Sequence, residues 1–199
     1  MSEQLILASA SPYRRKMLQD AGVATEAIAP EVDERAAEAP MLETDASPVD
    51  VATVLATVKA LAVGGRNPGR LVLGCDQVLS LDGEILHKPA DMEEARRRLL
   101  RLSGRKHRLD SVAVLVRNGA VLWTGVGTAT LTMRKLEPAF VGRHLARVGA
   151  AALSSVGAYQ IEGEGIQLFE KIDGDFFTIL GLPLLQLLAA LRGLGAIDG

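Results

Sequence analysis

The run Ser9-Ala10-Ser11-Pro12-Tyr13-Arg14-Arg15-Lys16 puts two hydroxyls and three cations at the start of what reads as a helix. A helix N-terminus carries partial positive charge, so each cation there costs about 0.3–1 kcal/mol. A bound anion relieves that cost, and Ser9, Ser11 and Arg14 together with free backbone N–H groups suit a phosphate. A capped helix with solvated basic side chains explains the same residues, and it is the clustering of cations that favours the anion. Further along, Asp76 follows the apolar run Leu71-Val72-Leu73 inside a predicted core strand. Burying an unpaired carboxylate costs several kcal/mol, so Asp76 must meet a cation, a metal or hydrogen-bond donors. A purely structural salt bridge or turn cap would satisfy it equally. Its neighbour Cys75 reads as a small core residue, because no histidine can be placed beside it.

Lysines and carboxylates complete the candidate chemistry. Pro89 restricts the backbone of Lys88 to extended conformations and so aims an ammonium that suits a phosphate, although a surface turn is the commoner use of a Lys-Pro pair. Lys59 lies in an otherwise apolar helix and by itself reads as a solvated position. Glu31, Asp33 and Glu34 could bind a hard cation through oxygen, or be solvated loop charges. The passage from Gly157 to Gly165 lacks both the Gly-Lys-Ser/Thr of a Walker loop and the glycines of a dinucleotide fingerprint, and reads as a wall or turn. His87, His107 and His144 show no metal-ligand spacing.

These groups need a scaffold. Gln4–Ala8 reads as a buried strand running into a helix that Ser11 caps and Pro12 opens, ending near Asp20. A second strand is expected over 23–29, then a mobile acidic loop to Ala46. Ser47-Pro48 starts a helix reaching about Val63. A strand over 70–81 turns at Asp82-Gly83 into a return strand over 84–87, and Asp91 caps a helix to about Leu102. The segments 106–117 and 120–133 flank Asn118-Gly119 as a long hairpin. Helices follow over 138–148 and 183–192, with Ile172 to Asp175 as a turn between them. The result is a mixed α/β protein expected to fold as one unit across 1–199.

Composition narrows the classes. Hydrophobic residues are 48% and charged residues 23% of 199, which argues against disorder. With 22 Lys and Arg against 24 Asp and Glu, the chain lacks the basic excess of a non-specific nucleic-acid binder, so no stable nucleic-acid partner is expected. One cysteine suits a reducing compartment, and the cytoplasm is the expectation. The N-terminus, with Glu3 where a signal peptide has basic residues, reads as no leader, and no apolar run is long enough to span a membrane.

Taken together, LILASASPYRRKML, APEVDER, VLGCDQVLSLDGEILHKP, LSGRKHRL, GAYQIEGEGIQLFEKIDGD and ILGLPL resemble the Maf family in order and cover most of the chain. The resemblance implies an elongated mixed β-sheet flanked by helices, two lobes around a central cleft, frequent homodimers, and metal-dependent hydrolysis of nucleoside triphosphates to monophosphate and pyrophosphate. It gives Ser9, Ser11, Arg14, Lys59 and Lys88 to the substrate phosphates, Asp76 to proton acceptance, and Asp33 to the family's acidic position. Magnesium or manganese would be held by Asp33, Asp76 and Glu34. Tyr13, Gln77 and Glu162 resemble the branch acting on 7-methyl-GTP: an aromatic face can stack on a cationic methylated guanine, and a carboxylate accepts from its donors. The alternatives are the dTTP/UTP branch and a non-catalytic nucleotide- or nucleic-acid-binding regulator of cell division. Carboxylates beside the cations favour an enzyme, and the missing Walker loop argues against cleavage at the γ phosphate.

Overall fold

A computed structural model describes residues 4–44 and 46–198; Glu3, used above to read the N-terminus, lies outside them. The chain divides into two compact units. One comprises Met1–Gln77, Asp110–Gly127 and Phe176–Gly199, and the other Val78–Leu109 and Thr128–Asp175. Seven strands form one mixed sheet in the order β2 (Thr25–Ala27), β1 (Leu5–Ala8), β3 (Val72–Leu81), β5 (Lys106–Arg117), β6 (Ala120–Met133), β7 (Phe169–Asp173), with β4 (Glu84–Leu86) also pairing β3.

In the first unit, β1 (Leu5–Ala8) lies parallel between β2 (Thr25–Ala27) and β3 (Val72–Leu81), with Ile6 opposite Val72 and Ala8 opposite Gly74. All four β1 residues are buried, as a parallel strand covered on both faces requires. Side chains alternate along β3. Leu71, Leu73 and Cys75 join the core that includes Met17 and Leu18 of α1 (Pro12–Asp20) and Leu187 and Leu191 of α7 (Leu184–Gly193). Gly74, on the other face, meets α3 (Pro48–Gly64), where Ser47 and Asp50 form a capping box. A Cβ on Gly74 would stand 2.1 Å from the Ala56 carbonyl oxygen, so only glycine lets α3 approach this closely. Ala56 and Ala60, one helical turn apart, supply the small side chains at the crossing.

The expected mobile loop after β2 is corrected: α2 (Glu34–Glu43) occupies it. Asp33 caps this helix by accepting from the Ala36 N–H at 3.0 Å. Few apolar residues and the internal Pro40 hid a segment whose helicity comes from its cap, its alanines and packing on α3. β2 is also shorter than the expected 23–29.

In the second unit, β3 continues into β4 (Glu84–Leu86) through Asp82 and Gly83, both at positive φ, the geometry of a tight two-residue hairpin turn. Asn118 and Gly119, which lie in the first unit, make the same kind of turn between β5 (Lys106–Arg117) and β6 (Ala120–Met133), matching the expected hairpin. Helix α4 (Met92–Leu102) packs on α5 (Pro138–Val148). Ile172 and Asp173, read only as part of a turn, belong instead to β7 (Phe169–Asp173), which is antiparallel to β6 with a register shift between Thr132 and Met133. Its polar, half-exposed residues carry no apolar alternation, so periodicity missed it. The short helix α6 (Phe176–Ile179) returns the chain to the first unit.

Candidate active site

Asp76 stands two residues beyond Gly74 and therefore on the face that α3 covers. Lys59 precedes Ala60, so the tight crossing at Gly74 sets the ammonium beside the carboxylate. Lys59 Nζ donates to Asp76 Oδ1 at 2.6 Å, and the two side chains are 8% and 10% exposed. The same ammonium pairs with Glu34 Oε2 at 2.9 Å. Lys59 is thus buried between two carboxylates, a correction to its reading as a solvated helix position. Asp76 Oδ2 has no hydrogen-bond partner among the described residues and remains an acceptor.

Arg14 adopts a role its helical position did not reveal. Its Nε donates to the Gly181 carbonyl at 2.8 Å, and its Nη1 to the Cys75 carbonyl at 3.0 Å and to Ser9 Oγ at 3.3 Å. It therefore pins β3 at the residue before Asp76, while its Nη2 protons stay available to an anion. Ser9 is buried; its hydroxyl oxygen also accepts from the Ser11 N–H at 3.2 Å, which leaves its O–H to donate. Ser11 caps α1 by accepting from the Arg14 N–H. The three-cation cluster does not converge: Lys16 turns to Asp20, 2.9 Å away, in an exposed pair. Tyr13 is half-buried on the first turn of α1.

Gln77 is fixed by its amide, whose Nε2 donates to Ser111 Oγ and to the carbonyls of Thr178 and Ile179 at 3.0–3.1 Å. Carbonyl acceptors assign the nitrogen, so Oε1 is the atom left to accept. Cys75, buried on the opposite side of β3, has its thiol pushed up to about 11 by burial, which confirms a core residue.

Among the described residues, no three His, Cys, Asp or Glu side chains gather as a ready metal cluster. Of the expected ligands, Asp76 and Glu34 converge on one ammonium, whereas Asp33 spends Oδ1 on its cap and Glu31 pairs with Arg66 at 2.8 Å. Magnesium is commonly held by one or two carboxylates completed by phosphate and water, so the Asp76 and Glu34 oxygens fit such an ion. In the second unit, Lys88 is exposed just after β4, and Glu162 is exposed on the turn before the 3₁₀ segment Glu164–Leu168. The anchors of Arg14 and Gln77 are mostly backbone carbonyls, which leave no mark in a sequence.

A comparison with known families matches residues 4–194 to the family described as Maf-like protein. This chain belongs to the Maf family. A relative from Mesorhizobium japonicum named 7-methyl-GTP pyrophosphatase is 67% identical over 199 residues, covering 100% of both chains. One of the same name from Brucella abortus is 57% identical with the same coverage. A Caulobacter vibrioides protein named nucleoside triphosphate pyrophosphatase is 49% identical over 191 residues, 96% of each chain. The six Maf segments recognised in the sequence map onto β1 with α1, the start of α2, β3 with β4, the start of β5, the 3₁₀ segment with β7, and the α6–α7 link.

Proposed function

We propose that this Maf protein hydrolyses a nucleoside triphosphate between its α and β phosphates, releasing monophosphate and pyrophosphate, with 7-methyl-GTP as substrate. The observation that carries the reading is the buried Lys59–Asp76 pair at 2.6 Å, joined through Cys75 to the guanidinium of Arg14. The names of the relatives support both the reaction and the base.

Asp76 accepts the proton of the water that attacks the α phosphorus; Lys59 holds its carboxylate still, so that Oδ2 faces the water in one orientation. Arg14 Nη2 and the hydroxyls of Ser9 and Ser11 donate to phosphate oxygens, and these fixed donors stabilise charge as it moves onto the departing pyrophosphate. The resemblance assigns Lys88 to the same phosphates. Asp76 and Glu34 would hold a magnesium or manganese ion, which would supply further neutralisation of the phosphate charge. For the base, Tyr13 offers an aromatic face, on which a cationic methylated guanine stacks more strongly than a neutral base. Gln77 Oε1 is an acceptor for a guanine N–H group, and the resemblance gives Glu162 the same role. A cytoplasmic homodimer completes the proposal, supported by the single cysteine and by the resemblance; among the described residues no helix is long and apolar enough to cross a membrane.

The test is product analysis with 7-methyl-GTP, GTP, UTP and dTTP in magnesium or manganese. Pyrophosphate and monophosphate, formed fastest from 7-methyl-GTP, are expected; orthophosphate and diphosphate would place the cut elsewhere. Asp76→Asn should lower kcat by about 10²–10⁴-fold while the fold persists. Undiminished turnover in that variant would remove Asp76 from the proton-transfer role.

A further inference from the structure

Helix α4 carries a pair of side chains that its N-terminal cap alone does not explain. Arg98 is 8% exposed, yet its Nη1 donates to the His87 carbonyl at 2.6 Å and also to the Val156 carbonyl. One turn earlier, Glu94 Oε2 accepts from the Ala90 N–H at 2.8 Å. The Glu94 carboxylate and Arg98 guanidinium are 3.8 Å apart. The two side chains therefore hold the short stretch around Lys88-Pro89 at both ends, at the carbonyl before Lys88 and the N–H after Pro89.

The second Arg98 bond reaches a segment that is itself closely held. Ser155 Oγ donates to the Tyr159 carbonyl at 2.7 Å, and Ala158 sits at φ 60. A Cβ on Gly157 would strike the Tyr159 ring at 2.2 Å. This segment leads directly to Glu162.

We infer that Arg98 and Glu94 are positioning residues: they fix the backbone from which Lys88 projects, and Arg98 ties that backbone to the segment bearing Glu162. The inference rests on the proposed phosphate role of Lys88. Glutamate at this position is also a helix-capping group, so loss of a cap is the competing explanation, and the two separate by dependence on Lys88.

The experiment measures kcat, KM and melting temperature for Glu94→Ala, Glu94→Gln and Arg98→Lys, each with Lys88 present and in a Lys88→Ala background, using 7-methyl-GTP and UTP. With Lys88 present, Glu94→Ala should lower kcat/KM on the order of tenfold, mainly through KM, as a displaced binding group does. Glu94→Gln, which keeps an oxygen for the Ala90 N–H, should recover most of that loss. In the Lys88→Ala background the Glu94→Ala effect should shrink below about twofold, although its melting shift persists. Equal factors in both backgrounds, or full kcat/KM in Lys88→Ala alone, would overturn the inference while leaving the hydrolase intact. Absence of turnover by the unmodified protein would instead overturn the proposed function and, with it, this use of Lys88. Glu94 is only partly buried, so its variants test the idea even if Arg98→Lys fails to fold.

Discussion

Each unit buries a polar pair, and the two pairs are chemically opposite. In the first, Lys59 and Asp76 meet at 2.6 Å as ions; in the second, His107 Nε2 and the Tyr159 hydroxyl meet at 2.7 Å as neutral groups. Burial pushes the His107 imidazole down to about 4 and the Tyr159 phenol well above its usual value. Phe169 packs against both rings, at 4.8 Å from Tyr159 and 5.9 Å from His107. The neutral pair serves packing. A buried ion pair, by contrast, is seldom more stable than well-packed apolar residues, because desolvation offsets its attraction. Its presence in the middle of core strand β3 is better explained by a need for a carboxylate.

That contrast can be broken most forcefully at Lys59. Lys59→Met strands Asp76 without its cation and should destabilise the protein by about 3–5 kcal/mol, read from denaturant midpoints. The double variant Lys59→Met/Asp76→Leu should regain most of that stability and remain inactive. If the double variant were as unstable as the single one, the pair would be structural, and the comparison between the units would collapse.

The neutral pair has a different signature, in pH. His107 has a folded-state value of about 4 against 6.5 for the free side chain. Above pH 6.5 neither state is protonated and His107 contributes nothing to pH dependence. Below it, the unfolded chain gains a proton that the folded chain refuses until about pH 4, so stability falls as pH drops through that window. At pH 5 the loss amounts to about 2 kcal/mol. His144, 1% exposed and without a hydrogen-bond partner for either ring nitrogen among the described residues, is shifted in the same direction, chiefly by burial. His107→Gln should therefore show a shallower decline in unfolding free energy from pH 7.5 to 5 than the unmodified protein. An unaltered slope would mean that His107 is not held neutral.

Local chemistry explains why some of this was legible beforehand. Asn118-Gly119 and Asp82-Gly83 announce their hairpins because positive φ selects those residues, and Ser11, Ser47 and Asp91 announce helices because their side chains bond the first turn. Asp76 was legible as a group needing a partner, but the partner was not. Lys59 looks solvated within its own helix; only the approach permitted by Gly74, fifteen positions away in the sequence, shows that its face is covered. Arg98 was passed over for the same reason, since a backbone carbonyl belongs to every residue type. Helix α2 is hard to read because its apolar pattern is weak and because Asp33, which caps it, reads from sequence as a cation ligand or a loop charge.

The smallest expected effect concerns the cluster that first suggested phosphate binding. Adjacent sequence positions made Arg14, Arg15 and Lys16 look like one cationic patch, but successive residues on a helix point about 100° apart. Arg14 turns inward onto Cys75 and Gly181, while Lys16, with 74% of its side chain exposed, pairs with Asp20 one turn on. Exposed pairs of this kind contribute little and are screened by salt. Lys16→Ala should therefore change KM for the nucleotide by less than about twofold at 0.15 M salt, with the melting temperature nearly constant. Arg14→Lys should raise KM far more, because a lysine cannot reproduce the forked bonds to two carbonyls and still offer donors to a phosphate. A large KM effect from Lys16→Ala would restore the undivided cluster, and anion capture would then depend on the charge of the whole first turn.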